Sequence, residues 1–200
     1  MDINGNNREL FEGRCEYTGC DVLPGKNVDI ALPVHRLPHA NDSFDVIMST
    51  GLARAHMAPT NQISFLNSAP EALEHDMHYV ASLQAVYRLL KPGGLLVVTC
   101  ASYGRGVHGT RWRFPEVSLT SEVEEAGWAD YYMNVGPAEV AVVLPEDYWS
   151  YFRFFYRKRP GDMYMVAVKA GGLHSFVDAK EFSSYDPEVL EIDPYSQAEL

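Results

Sequence analysis

Asp21 stands where a candidate strand, Cys15-Glu16-Tyr17-Thr18-Gly19-Cys20, runs out. In a doubly wound sheet ligands sit outside the carboxyl ends of the strands, and an acid ending the second strand accepts hydrogen bonds from ribose hydroxyls. The competing reading is a carboxylate that caps the turn before Pro24-Gly25. A second group of chemically able residues lies between Ser102 and Pro115, a glycine-punctuated stretch holding Tyr103, His108, Arg111 and Trp112. His108 suits a general base for an acceptor hydroxyl, because an imidazole titrates near neutral pH; otherwise it is an exposed loop histidine. His35 and His39 are four residues apart, and His75 and His78 three, with Asp76 adjacent. On a helix such pairs share a face, but neither brings a third ligand, and no metal site is expected. The aromatic run Tyr148 to Tyr156 fits a stacking platform for a sugar or base, or else core plus an edge strand.

These residues sit in a chain of 200 residues, 46% hydrophobic and 22% charged. That size buries roughly two thirds of the unfolded surface without disulfide or metal staples, and disorder or a coiled coil does not fit the composition. No apolar run approaches the roughly 20 residues of a membrane span, and the first residues hold no secretory h-region. The formal net charge of −11 argues against a large duplex footprint, which needs basic patches. Seven acids against Lys180 alone fall between Gly171 and Leu200, which are expected to form an acidic tail behind a domain of residues 1–170. Three cysteines (Cys15, Cys20, Cys100) fit neither paired disulfides nor a zinc spacing and point to a reducing, cytoplasmic setting.

The elements that must position the candidates alternate in type. Short apolar runs predict strands at Cys15 to Cys20, Asn27 to Leu32 and Phe44 to Ser49. From His75 to Leu90 the spacing of Val80, Leu83, Val86, Tyr87 and Leu90 predicts an amphipathic helix, stopped by Lys91-Pro92-Gly93-Gly94. Leu95 to Cys100, apolar on both faces, reads as a central strand. A second helix is expected over Ser118 to Ala126. Strands at Ser150 to Lys158 and Met163 to Lys169 flank a Pro160-Gly161-Asp162 turn. The pattern predicts an α/β sandwich with a mostly parallel sheet and a terminal antiparallel hairpin.

Several pieces fall together in order. They are Gly19-Cys20-Asp21; Pro24-Gly25-Lys26-Asn27-Val28-Asp29-Ile30; His35-Arg36-Leu37-Pro38; Asp42-Ser43-Phe44-Asp45-Val46-Ile47; Ala55-His56; Arg88-Leu89-Leu90-Lys91-Pro92-Gly93-Gly94; and Glu125-Ala126-Gly127-Trp128. In that order and spacing, residues 15 to 130 resemble the class I S-adenosylmethionine-dependent methyltransferases, specifically the small type 11 group. The resemblance implies a Rossmann-like fold, S-adenosyl-L-methionine as cofactor and a small acceptor, such as a sugar or metabolite hydroxyl. It implies that Asp21 holds the ribose, that Val22 and the Pro33-Val34-His35 loop meet the adenine, and that Ser49-Thr50-Gly51 line the methionine portion and acceptor. His56 would line the site, and Tyr103, His108, Arg111 and Trp112 would lie in the acceptor loop. Phe44 plugs the core, and Asp45 is expected to cap a neighbouring backbone.

Two departures qualify the resemblance. Pro33 stands where the family usually has an acid, so adenine recognition falls to backbone groups. The family's first strand and its glycine-rich loop should precede Cys15, where only Met1 to Arg14 are present. The sheet is therefore expected to be truncated, with a gap between the second and fourth strands. That gap could be filled by Asp2 to Leu10, by another copy or partner chain, or, as the favoured expectation, by direct pairing of the second strand with the fourth, leaving a shallow, weakly binding pocket. The rival to an enzyme is a degenerate, non-catalytic methyltransferase-fold partner or scaffold.

Overall fold

The computed structural model describes residues 8–11, 13, 15–49, 63–68, 73–172 and 188–196. In chain order the elements are α1 (Arg8–Phe11), β1 (Cys15–Asp21), β2 (Ile30–Ala31), β3 (Phe44–Ser49), β4 (Ile63–Ser68), α2 (Tyr79–Leu89), β5 (Leu90–Ala101), α3 (Pro137–Val143), β6 (Trp149–Arg157), β7 (Asp162–Lys169) and β8 (Val189–Ile192). The strands form one sheet in the order β2-β1-β4-β3-β5-β7-β6-β8. Four neighbouring pairs are parallel and three antiparallel. The sheet is mixed, not mostly parallel, because β7 docks antiparallel on β5 and the hairpin lies inside the sheet, with β8 beyond it.

The expected direct pairing of β1 with β3 does not occur. Between them runs β4, parallel to both, with Cys15 opposite Ile63, Gly19 opposite Asn67, and Ile47 opposite Leu66. The gap is filled from within the chain, by β4. An open β1 or β3 edge would leave a row of backbone donors and acceptors unsatisfied, each costing about 1–3 kcal/mol when buried. A strand drawn from the following connection removes that cost.

The interior is apolar on both faces of the sheet. Ile47, Leu96, Val98, Met163 and Met165 join Leu83, Val86 and Leu89 of α2 and Val140 of α3 on one face, and Val46, Met48, Leu95, Val166 and Val168 gather with Phe11 on the other. Phe44, at 3% exposure, is in the core as expected. The Asp45 carboxylate pairs with Lys91 Nζ at 2.8 Å. Lys169 reaches from the end of β7 to the carbonyl oxygens of Tyr87 and Leu90, at 2.9 and 2.7 Å, and to Asp42, with its ammonium over the Tyr87 ring. A cation at a helix carboxyl end satisfies carbonyls that have no partner inside the helix.

Elsewhere the structure departs from the periodicity. The helix starts at Tyr79, not His75, and Val80 is exposed while Ser82 and Ala85 take buried places. Residues 118–126 form no α-helix: 3-10 turns span Pro115–Val117 and Leu119–Glu122. There Ser121 Oγ donates to the Pro115 and Ser118 carbonyls, offering the backbone an alternative to a helical ladder. Only Ile30–Ala31 of the expected Asn27 to Leu32 strand pairs with β1. Helix α3 has a legible start that the periodicity does not reveal: Pro137 at its first position, and Glu139 accepting from Gly136 N–H at 3.0 Å. In the acidic segment, β8 pairs with β6, and Glu191 meets Arg153 at 3.0 Å.

With β4 paired on both sides, amide hydrogens of Ser64 to Asn67 are expected to exchange as slowly as those of Val46 to Met48 when followed by hydrogen–deuterium exchange. Exchange at the rate of an unstructured peptide would remove β4 from the sheet.

Candidate functional site

The carboxyl ends of β1, β4, β3 and β5 lie along one edge of the sheet, and the candidates gather there or in the loops that follow. β1 connects outward to β2, whereas β3 and β5 build the other way, so the end of β1 lies at a topological switch point. Asp21 occupies it at 6% exposure. Its Oδ1 accepts from Val22 N–H at 2.6 Å. Burial outweighs the backbone amides of Val22 and Leu23 and pushes its carboxyl up to about 6.

What fixes Asp21 is the return of the chain onto β1. Asp29 N–H donates to the Gly19 carbonyl at 2.8 Å, and Gly19 N–H donates to Asp29 Oδ2 at 2.7 Å. Arg8 pairs with the same Asp29 carboxylate. Gly19 is needed for this closure, because a Cβ there would lie 2.1 Å from the Asn27 carbonyl oxygen. The sequence shows Gly19 and Asp29 but not the reciprocal pair they make ten residues apart.

The other candidates are placed as follows. Val22 is half-buried directly after Asp21; Pro33 is buried, and Val34 and His35 lie in the 3-10 turn Val34–Arg36. His35 turns toward α2: its Nδ1 is 3.3 Å from Ser82 Oγ, and its ring packs 4.8 Å from His78 and 6.5 Å from the buried Trp128. Burial lowers the pKa of His35. Ser49, 5% exposed, ends β3; Thr50, Gly51 and His56 lie outside the described residues. Tyr103 donates to the Glu139 carboxylate, and its own carbonyl accepts from Tyr156, so it ties β6 and α3 to the end of β5. Burial followed by that hydrogen bond raises its pKa. Arg111 and Trp112 are exposed, Trp112 at 81%, on the bridge between Thr110 and Arg113.

His108 is not an isolated loop histidine. Its ring stands 5.2 Å from that of His75 and 5.1 Å from that of Tyr132, and Glu74 completes a cluster of three donor atoms. Neither sequence pair of histidines is the pair the fold makes: His35 meets His78, and His75 meets His108. A cleft of about 390 Å³ between Phe152–Phe154 and Glu191–Tyr195 lies on the β6–β8 side, away from these residues.

No family model and no curated protein matches the chain. Solved structures do. One is described as a possible exported protein from Bordetella parapertussis, 11% identical over 82% of this chain and 66% of that one, with a TM-score of 0.42. Another is a putative methyltransferase of Haloferax volcanii in complex with the Trm112 methyltransferase activator, 14% identical over 76% and 65%, TM-score 0.44. A third is the Burkholderia thailandensis 1,6-didemethyltoxoflavin-N1-methyltransferase with its substrate and S-adenosylhomocysteine, 15% identical over 82% and 75%, TM-score 0.42. The chain spans just under two thirds of the first two proteins, and likenesses this distant carry no residue assignment.

The motifs themselves can be checked against the sheet. Gly19-Cys20-Asp21 closes β1, Asp29-Ile30 enters edge strand β2, Phe44-Asp45 opens β3, and Lys91-Pro92-Gly93-Gly94 opens β5. The fold is α/β, with β1, β4, β3 and β5 parallel. In that sheet the central place between β1 and β3 is taken by β4.

Two outcomes test this geometry. Gly19→Ala is expected to cost about 1–3 kcal/mol in chemical denaturation, the scale of overpacking; an unchanged midpoint and slope would show that Asn27 is not where it is described. Asp21 has a folded pKa above its unfolded one, so the folded state holds the extra proton between pH 4 and 6, and stability falls as pH rises through that window. Asp21→Asn is therefore expected to be more stable than the parent by about 2–3 kcal/mol at pH 7, with the gap closing near pH 4. Parallel pH profiles would contradict it.

Proposed function

We propose that the chain binds S-adenosyl-L-methionine at the carboxyl ends of β1 and β3 and transfers its methyl group to a small acceptor. The observation that carries this reading is Asp21, a buried carboxylate at the switch point of the sheet. A carboxylate held there by burial accepts two neighbouring hydroxyls well, and a ribose presents such a pair. Val22 and the buried Pro33 with Val34 supply apolar surface for an adenine, and Pro33, having no side-chain acceptor, leaves the ring's amino group to backbone carbonyls. Ser49, the last residue of β3, would serve the methionine end. Transfer from a sulfonium is an in-line displacement in which the leaving group becomes a neutral thioether, so alignment of donor and acceptor supplies most of the acceleration.

Calorimetric titration with S-adenosylhomocysteine tests the reading: one site per chain is expected. Asp21→Ala should weaken it by about 1.5–3 kcal/mol, the scale of hydrogen bonds to a charged group. Bound hydroxyls favour the ionised carboxylate, so affinity should rise with pH up to about 6 and level off above it. Absence of binding, or binding indifferent to Asp21→Ala, overturns the assignment.

A further inference from the structure

We propose that Glu74, His75 and His108 together bind one divalent transition-metal ion of the zinc class, a site that goes beyond methyl transfer and does not depend on it. One donor atom from each of the three residues lies within 4.8 Å of the other two. Donors around a tetrahedral zinc ion stand about 3.4 Å apart. Closure therefore asks for little more than an ångström of side-chain adjustment. Two imidazoles and a carboxylate suit zinc, cobalt or ferrous iron; magnesium and calcium favour sets made wholly of oxygen.

The surroundings hold the donors as ligands are held. His108 Nδ1 lies 2.8 Å from the Gly106 carbonyl oxygen. A carbonyl only accepts, so Nδ1 carries the proton and the neutral ring presents the Nε2 lone pair. The Tyr132 hydroxyl donates to the same carbonyl at 3.3 Å, and its ring packs against both imidazoles. Glu74 Oε1 accepts from Ala101 N–H at 3.1 Å, which ties the carboxylate to the end of β5. Glu74 and His75 are 0% and 1% exposed. Gly109, in the left-handed region at φ +61°, lets the loop press on the cluster: a Cβ there would lie 2.5 Å from His75 Cε1. Contacts of this kind orient the ligands of metal ions.

The ion would join the turn before α2 to the loop after β5, two segments with no strand pairing between them. It would also take the Nε2 lone pair that a general-base role for His108 requires. Three protein donors leave the fourth position of a tetrahedral ion to water or another oxygen.

The test titrates the metal-free chain with Co²⁺, followed by visible absorption, and then displaces it with Zn²⁺. One equivalent of Co²⁺ is expected to give the ligand-field bands of a four- or five-coordinate ion, bleached by one equivalent of Zn²⁺. His108→Ala, a change on a partly exposed loop, should weaken binding at least about 100-fold, and Glu74→Gln at least about 10-fold. His78→Ala, in the neighbouring histidine cluster, should bind as the parent does. Zn²⁺ should raise the melting temperature of the parent and leave that of His108→Ala unmoved. No band at one equivalent, a band kept by His108→Ala, or a band lost in His78→Ala would each overturn the site.

Discussion

A strand in the middle of a sheet must be hydrogen-bonded on both sides, and that requirement organises this molecule. β1 carries Asp21 and β3 carries Ser49, and both need a partner on their facing edges. β4 supplies both at once, in register over Cys15 to Gly19 on one side and Val46 to Ser49 on the other. Unpaired edges buried at this place would have exceeded the few kcal/mol by which a domain is stable. The carboxyl ends that the proposed function uses are aligned because this pairing sets the stagger between the two strands.

The second tier of order is a set of short ties across that edge. Asp29 and Gly19 exchange reciprocal hydrogen bonds, Glu139 holds both Gly136 and Tyr103, and Asp76 accepts from Ser82 Oγ and the His78 amide. Each joins a loop to a rigid element through a carboxylate that accepts twice. Loops fixed this way present side chains with little entropy left to lose on binding. At the same edge, burial raises the pKa of Asp21.

Much of the framework was legible in the sequence because strands built from contiguous apolar runs announce themselves locally. Phe44 to Ser49 and the two hairpin strands lie within a residue of their expected bounds. What was not legible depends on distance along the chain. Nothing in Ile63 to Ser68 says that it inserts between strands that precede it. His75 and His108 are 33 positions apart, so reading histidines by i+3 and i+4 spacing paired each with the wrong neighbour. The segment 118–126 failed for a local reason instead: its serine hydroxyls compete for the carbonyls a helix would use. Asp21 was visible because its place at a strand end follows from the run just before it.

Lys169 has a consequence for the order in which the molecule can be made. Its ammonium closes the end of α2, yet it emerges from the ribosome some eighty residues after that helix does. β5 likewise waits for β7 before its second edge is paired. A nascent chain that has reached the end of β5 therefore carries a helix end without its ammonium and an open strand edge, and such an edge is what chaperones and aggregating neighbours recognise. The hairpin of β6 and β7 acts as the late latch of co-translational folding, and its arrival converts a half-built sheet into a cooperative one.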